Sequence, residues 1–104
     1  MKIDFSVVMK NFKGEDINQP QPLTLAEVCA QALLGNYDDD KQTSAESKIA
    51  RFKLAHKLFT KNEAGETVAV CELDIPVEDA TLIKKFVNKA FGVLIVGQVD
   101  EIIK

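Results

Sequence analysis

The chain has little of what most enzymes and most nucleic-acid binders use. It holds one histidine, His56, and one arginine, Arg51. A single histidine leaves two-histidine metal sites out of reach. The two cysteines, Cys29 and Cys71, lie far apart in sequence and show no zinc-ligand spacing. Two cysteines are also too few for a disulfide scaffold, and nothing points to an oxidising compartment. No GxxxxGK[ST] pattern is present, so there is no phosphate loop of that kind. No apolar run approaches ~18 residues, which leaves no candidate transmembrane helix and no membrane partner. Asp4 stands inside what would be the apolar centre of a secretory signal, so the expected location is the cytoplasm.

What is present fits one small globular domain over residues 1–104. Hydrophobic residues make up 46% of the 104 and charged residues 28%, an ordinary balance for a soluble fold. A chain of this length buries roughly 60–70% of its unfolded surface, enough for a core without metal or disulfide staples. The net charge of −3 argues against a general nucleic-acid binder, which needs a basic surface to displace counterions. The charge is nevertheless segregated. Residues 1–40 carry three bases and seven acids, residues 41–61 six bases and one acid, residues 62–81 six acids and no base, and residues 82–104 four bases and two acids. Blocks of this kind neutralise one another across a small surface or form a charged face for a partner.

Residues 2–10 alternate, with Ile3, Phe5, Val7 and Met9 on one side, which predicts a half-buried strand. Asn11-Phe12-Lys13-Gly14 reads as a turn, and Glu15-Asp16-Ile17 as a short return. Pro20 and Pro22 keep the next segment extended. Thr24-Leu25-Ala26-Glu27 is a capping box and predicts a helix of about ten residues, ended by Gly35-Asn36. Leu25, Val28, Cys29, Ala32 and Leu33 fall on its inner face. Thr43-Ser44-Ala45-Glu46 is a second box, opening a helix that should run to about Phe59. The apolar positions Ile49, Phe52, Leu54, Ala55, Leu58 and Phe59 spread over more than half its circumference, which predicts a central helix. Thr67–Leu73 alternates as a strand, with Cys71 expected inside. Pro76, Glu78 and Asp79 mark another helix start. Residues 93–103 are open to two readings: Val93–Val96 would suit a buried strand, while Ile95, Val99, Ile102 and Ile103 fit a final helical stripe, the reading favoured. The expected architecture is α+β, with two or three short antiparallel strands packed against three or four helices and the N-terminal strand pairing near Thr67–Leu73.

Several stretches together resemble a family of small, mostly uncharacterised proteins encoded in phages and prophages of bacteria. They are the Gly14 turn, Pro22-Leu23-Thr24-Leu25, Ala32-Leu33-Leu34, Glu46 to Ala55, Glu78 to Lys85, and Val96-Gly97-Gln98-Val99-Asp100-Glu101. The resemblance covers most of the chain and rests on caps, turns and amphipathic faces rather than on chemical motifs. It implies an origin and a bacterial host, and it lends no catalytic residue.

The candidate contact residues are charged. Lys53, Lys57 and Lys61 repeat every four positions and form a solvent-facing basic stripe. Arg51 lies on the apolar side of the same helix, where a carboxylate from the 62–81 block is its expected partner. If exposed, it would anchor a binding partner. Asp38, Asp39 and Asp40 form an acidic loop without the alternating oxygens, glycine and closing glutamate of a calcium site, leaving contact with a basic partner as its functional reading. His56 sits at the edge of the apolar face, as a half-buried hydrogen-bonded histidine. The apolar C-terminal segment offers core or a subunit interface. No catalytic residue, metal ligand or cofactor site emerges. The function expected is that of a non-catalytic phage- or prophage-derived protein acting through protein–protein interaction or self-association. The alternative is a weak nucleic-acid-associated regulator using the basic helix 48–61.

Overall fold

A computed structural model describes residues 2–18, 22–35 and 45–103. Its elements run β1 (Lys2–Ile3), α1 (Leu25–Leu34), α2 (Ala45–Lys57), β2 (Phe59–Lys61), β3 (Thr67–Ala69), β4 (Leu73–Asp74), α3 (Val77–Ala90) and α4 (Val93–Ile102). The class is α+β, with short antiparallel strands packed against four helices. The strands form two separate two-stranded sheets: β1 pairs with β4, and β2 with β3. Lys2 faces Asp74 and Ile3 faces Leu73 in the first. Phe59 faces Ala69, Thr60 faces Val68 and Lys61 faces Thr67 in the second.

α1 is the helix at the centre. Leu25, Ala26, Val28, Cys29, Ala30, Ala32 and Leu33 are all buried, and the helix packs against both α2 and α3. Its start is held at three points. The Thr24 hydroxyl accepts from the Glu27 N–H at 3.2 Å, the threonine half of the expected box. The Leu25 N–H donates to the Val7 carbonyl at 2.7 Å and the Ala26 N–H to the Phe5 carbonyl at 3.0 Å. The N-terminal segment thus spends its carbonyls on the helix's otherwise unpaired donors. That is why the alternating run is not one continuous strand. Its pattern still sets burial, since Ile3, Phe5 and Met9 lie in the core. Pairing near Thr67–Leu73 is realised by β4 and by the Phe5 N–H, which donates to the Val70 carbonyl at 3.1 Å.

The expectation that the second helix is central is corrected. α2 buries only Arg51, Leu54 and Ala55, followed by Leu58 just past its end. It stops at Lys57, because the chain from Phe59 is drawn into the β2–β3 hairpin and the Val70 N–H donates to the Leu58 carbonyl at 2.9 Å. Cys71 is corrected too: it is exposed, because the chain bends after Val70 and the strand alternation is lost there. The second capping box falls partly on residues 43 and 44, outside the described residues.

Two turns share one construction. In Asn11-Phe12-Lys13-Gly14-Glu15, the Asn11 Oδ1 accepts from the N–H groups of Lys13 at 2.9 Å and Glu15 at 3.1 Å. In Asn62-Glu63-Ala64-Gly65-Glu66, the Asn62 Oδ1 accepts from Ala64 and Glu66, both at 3.0 Å. The glycines take φ of 82° and 80°, the left-handed region where a Cβ is costly. The first turn presents Phe12 to solvent at 83% exposure. The amide of Gln98 fixes its hairpin to α4. Its Oε1 accepts from the Lys10 N–H at 2.7 Å and its Nε2 donates to the Lys10 carbonyl at 2.8 Å.

α3 and α4 follow the sequence pattern closely. Pro76 caps α3, Glu78 and Asp79 fill its first turn, and Ala80, Ile83, Phe86 and Val87 are buried. α4 is the helix expected at the C-terminal end, with Val99 buried and Ile103 closing it.

Candidate functional site

α2 has two apolar faces. At 100° per residue, Arg51, Leu54, Ala55 and Leu58 point one way, while Ile49, Phe52, Lys53 and His56 point the other. The first group is buried. On the second, Ile49 is 51% exposed and Phe52 54%. The Phe52 and His56 rings meet edge-on, with centroids 4.4 Å apart and planes at 61°. His56 is exposed rather than half-buried, which corrects its expected place at the edge of the core. Lys48, Lys53 and Lys57 stand exposed around this strip, and Glu46 is the acid of the helix's first turn. The arrangement is an apolar strip framed by three ammonium groups. Leaving a phenylalanine and an isoleucine half in water forgoes on the order of 1 kcal/mol of burial each. A partner that covers them recovers it.

The expected lysine stripe is divided by the fold. Lys53 and Lys57 lie on α2, but Lys61 lies at the end of β2, opposite Thr67. All three are exposed. The helical spacing fails at Lys61 because α2 ends four residues earlier.

Arg51 is not on the surface. It is 5% exposed, and its guanidinium serves the protein's own backbone. The Nε donates to the Leu33 carbonyl at 2.9 Å, and a terminal nitrogen donates to the Gly35 carbonyl at 2.8 Å. These are carbonyls at the end of α1, where the helix leaves acceptors unpaired and its dipole favours a cation. The expected carboxylate partner is thus replaced, for these two bonds, by a helix C-terminus. Arg51 is removed from the contact surface. Asp38, Asp39 and Asp40 lie outside the described residues.

A second feature is a cleft of ≈ 590 Å³ between the N-terminal segment, the start of α1 and the β2–β3 hairpin, lined among others by Ser6, Thr24, Glu27, Glu66 and Cys71. It offers hydroxyls, carboxylates and an exposed thiol. The Thr24 hydroxyl is already engaged in capping α1. His56 is not among the residues that line this cleft with the thiol. The other thiol, Cys29, is buried in α1, and burial pushes its pKa up to about 12. It is a core residue in the thiol form. Among the described residues, no three His, Cys, Asp or Glu side chains gather closely enough to hold a metal ion. Among the same residues, no helix is long and apolar enough to cross a membrane.

Sequence reasoning missed the outward apolar strip of α2. Its signal was present in the excessive width of the apolar face, which a helix with one buried side does not need. No protein-family model, no curated protein and no solved structure matches the chain.

Proposed function

We propose that this protein is a non-catalytic interaction module that docks another protein on the outward face of α2. The observation that carries this reading is the pairing of half-exposed Ile49 and Phe52 with a frame of Lys48, Lys53 and Lys57, opposite a fully packed inner face. An apolar anchor inside a charged rim is the usual anatomy of a protein interface. The lysines select a partner with acidic residues around an apolar centre, because they repel a basic one and steer an acidic one. The phage or prophage origin implied by the sequence resemblance belongs to the same proposal, and with it action in the cytoplasm of a bacterial host.

Affinity capture from nuclease-treated bacterial lysate tests this, with wild type compared against Ile49→Ser/Phe52→Ser. The expected result is a stoichiometric protein retained by wild type and lost by the variant. A retained set that is the same for both would overturn the docking face.

One observation favours a second reading. Phe52 is exposed beside lysines, and an aromatic among cations is the element a single-stranded nucleic acid stacks on. That reading predicts capture that disappears with nuclease and binding that weakens steeply with added salt.

A further inference from the structure

α4 carries an unpartnered surface of a different kind. Val93, in its first turn, is 90% exposed, and Leu94 beside it is half-exposed. Gly97 lies four residues on, one turn below Val93 on the same face. A glycine inside a helix costs ~1 kcal/mol relative to alanine. Here no neighbour within the chain requires it, since a Cβ built at Gly97 meets nothing within 4 Å. Beside it opens a cleft of ≈ 430 Å³, lined by Phe91, Val93, Val96 and Gly97, with Asn88 and Asp100 as its polar members. A protruding side chain and a hollow therefore sit next to each other on one surface.

We infer that this face is an isologous contact between two copies of the chain. Two-fold symmetry sets Val93 of each copy over the Gly97 hollow of the other, which is the self-complementarity such an interface needs. Charge selects a second copy as the occupant. Residues 90–99 carry no charged side chain, so like surfaces meet without repulsion. The one charge in the cleft lining, Asp100, pairs with Lys84 at 3.5 Å. The α2 face, with its three lysines, lacks this property and would repel its own image. A contact smaller than the ~800 Å² per partner of a tight complex associates weakly, so the test spans a wide range of concentration.

Sedimentation equilibrium of the full chain from ~10 µM to ~1 mM tests the inference. The wild-type mass should climb from 11.5 kDa toward twice that value. Gly97→Leu fills the hollow, and Val93→Ser removes the protrusion at a position that contributes little to the fold. Each should weaken association by ~10-fold or more, while Phe52→Ser leaves it unchanged. Gly97→Leu should also keep or raise the melting temperature, since it replaces a helical glycine; if it fails to fold, Val93→Ser carries the test alone. A wild-type mass that stays at that of one chain throughout would overturn the inference. So would association that survives both α4 variants, or that Phe52→Ser abolishes. The α2 face is separate, and failure of either contact leaves the other standing.

Discussion

The guanidinium carbon of Arg51 lies 4.3 Å from the centre of the Phe86 ring, so the chain's one arginine joins α2 to α3 while holding the end of α1. Lys85 and Lys89 bring their ammonium groups within 5.6 and 5.2 Å of the same ring. Among the described residues, three cations thus gather on one buried aromatic, and the arginine adds directed hydrogen bonds to the stacking.

Replacing Arg51 should therefore destabilise strongly. Charged hydrogen bonds contribute ~1.5–3 kcal/mol each and a desolvated cation–π contact ~2, but these overlap, and Arg51→Ala should cost ~3 kcal/mol in urea denaturation. Arg51→Lys should recover less than half of that, because a point ammonium cannot reach two carbonyls and stack at once. A loss below ~0.5 kcal/mol for Arg51→Ala would place Arg51 outside the packed structure.

The two thiols should react in sequence. Native protein at about pH 8 should release one equivalent with a thiol reagent, from Cys71, and the second only on unfolding. Cys29 also links stability to alkaline pH. The unfolded thiol ionises near its ordinary 9.0, whereas burial holds the native one to about 12. Its contribution is complete below about pH 9. It falls by ~1.4 kcal/mol per pH unit between there and about pH 12, as the unfolded chain releases a proton the native chain retains. Cys29→Ala should remove that part of the alkaline slope, as measured by denaturation across the range. An unaltered slope in Cys29→Ala would contradict it.

The paired asparagine turns make a matched prediction. Asn11→Ala and Asn62→Ala each remove two side-chain hydrogen bonds to exposed backbone and should each cost ~1 kcal/mol. Gly14→Ala and Gly65→Ala should each cost roughly 1–2 kcal/mol, through the positive φ alone. Thermal melts of the four variants check whether the two turns are energetically equivalent as well as geometrically alike.

Local chemistry was the part of the fold open to reading in advance. Thr24 named the start of α1 and Pro76 with Glu78 and Asp79 named α3, while the spacing of Val99 and Ile103 favoured a final helix without excluding a strand over Val93–Val96. Each of these signals acts within one turn of the residue that carries it. α2 was misjudged because Ile49, Phe52, Leu54, Ala55 and Leu58 cover too much of the helix for periodicity to choose a buried half. Packing against α1 made that choice. Cys71 was misplaced because a bend after Val70 breaks an alternation that the residues alone continue. Arg51 was recognised as a structural arginine, but two of its acceptors belong to a helix end 16 to 18 residues away, and no local pattern encodes them.

The measurement that bears most directly on the docking role of α2 joins stability and capture in one variant. Ile49→Ser/Phe52→Ser should stay folded at a cost of up to ~2 kcal/mol for the pair, since about half of each side chain is buried, while Leu54→Ala alone on the inner face should cost ~2–5 kcal/mol. The double variant, still folded, should lose the nuclease-resistant partner. A double variant that fails to fold would make the outward strip part of the core, and a folded one that keeps its partner would move the contact elsewhere on the surface.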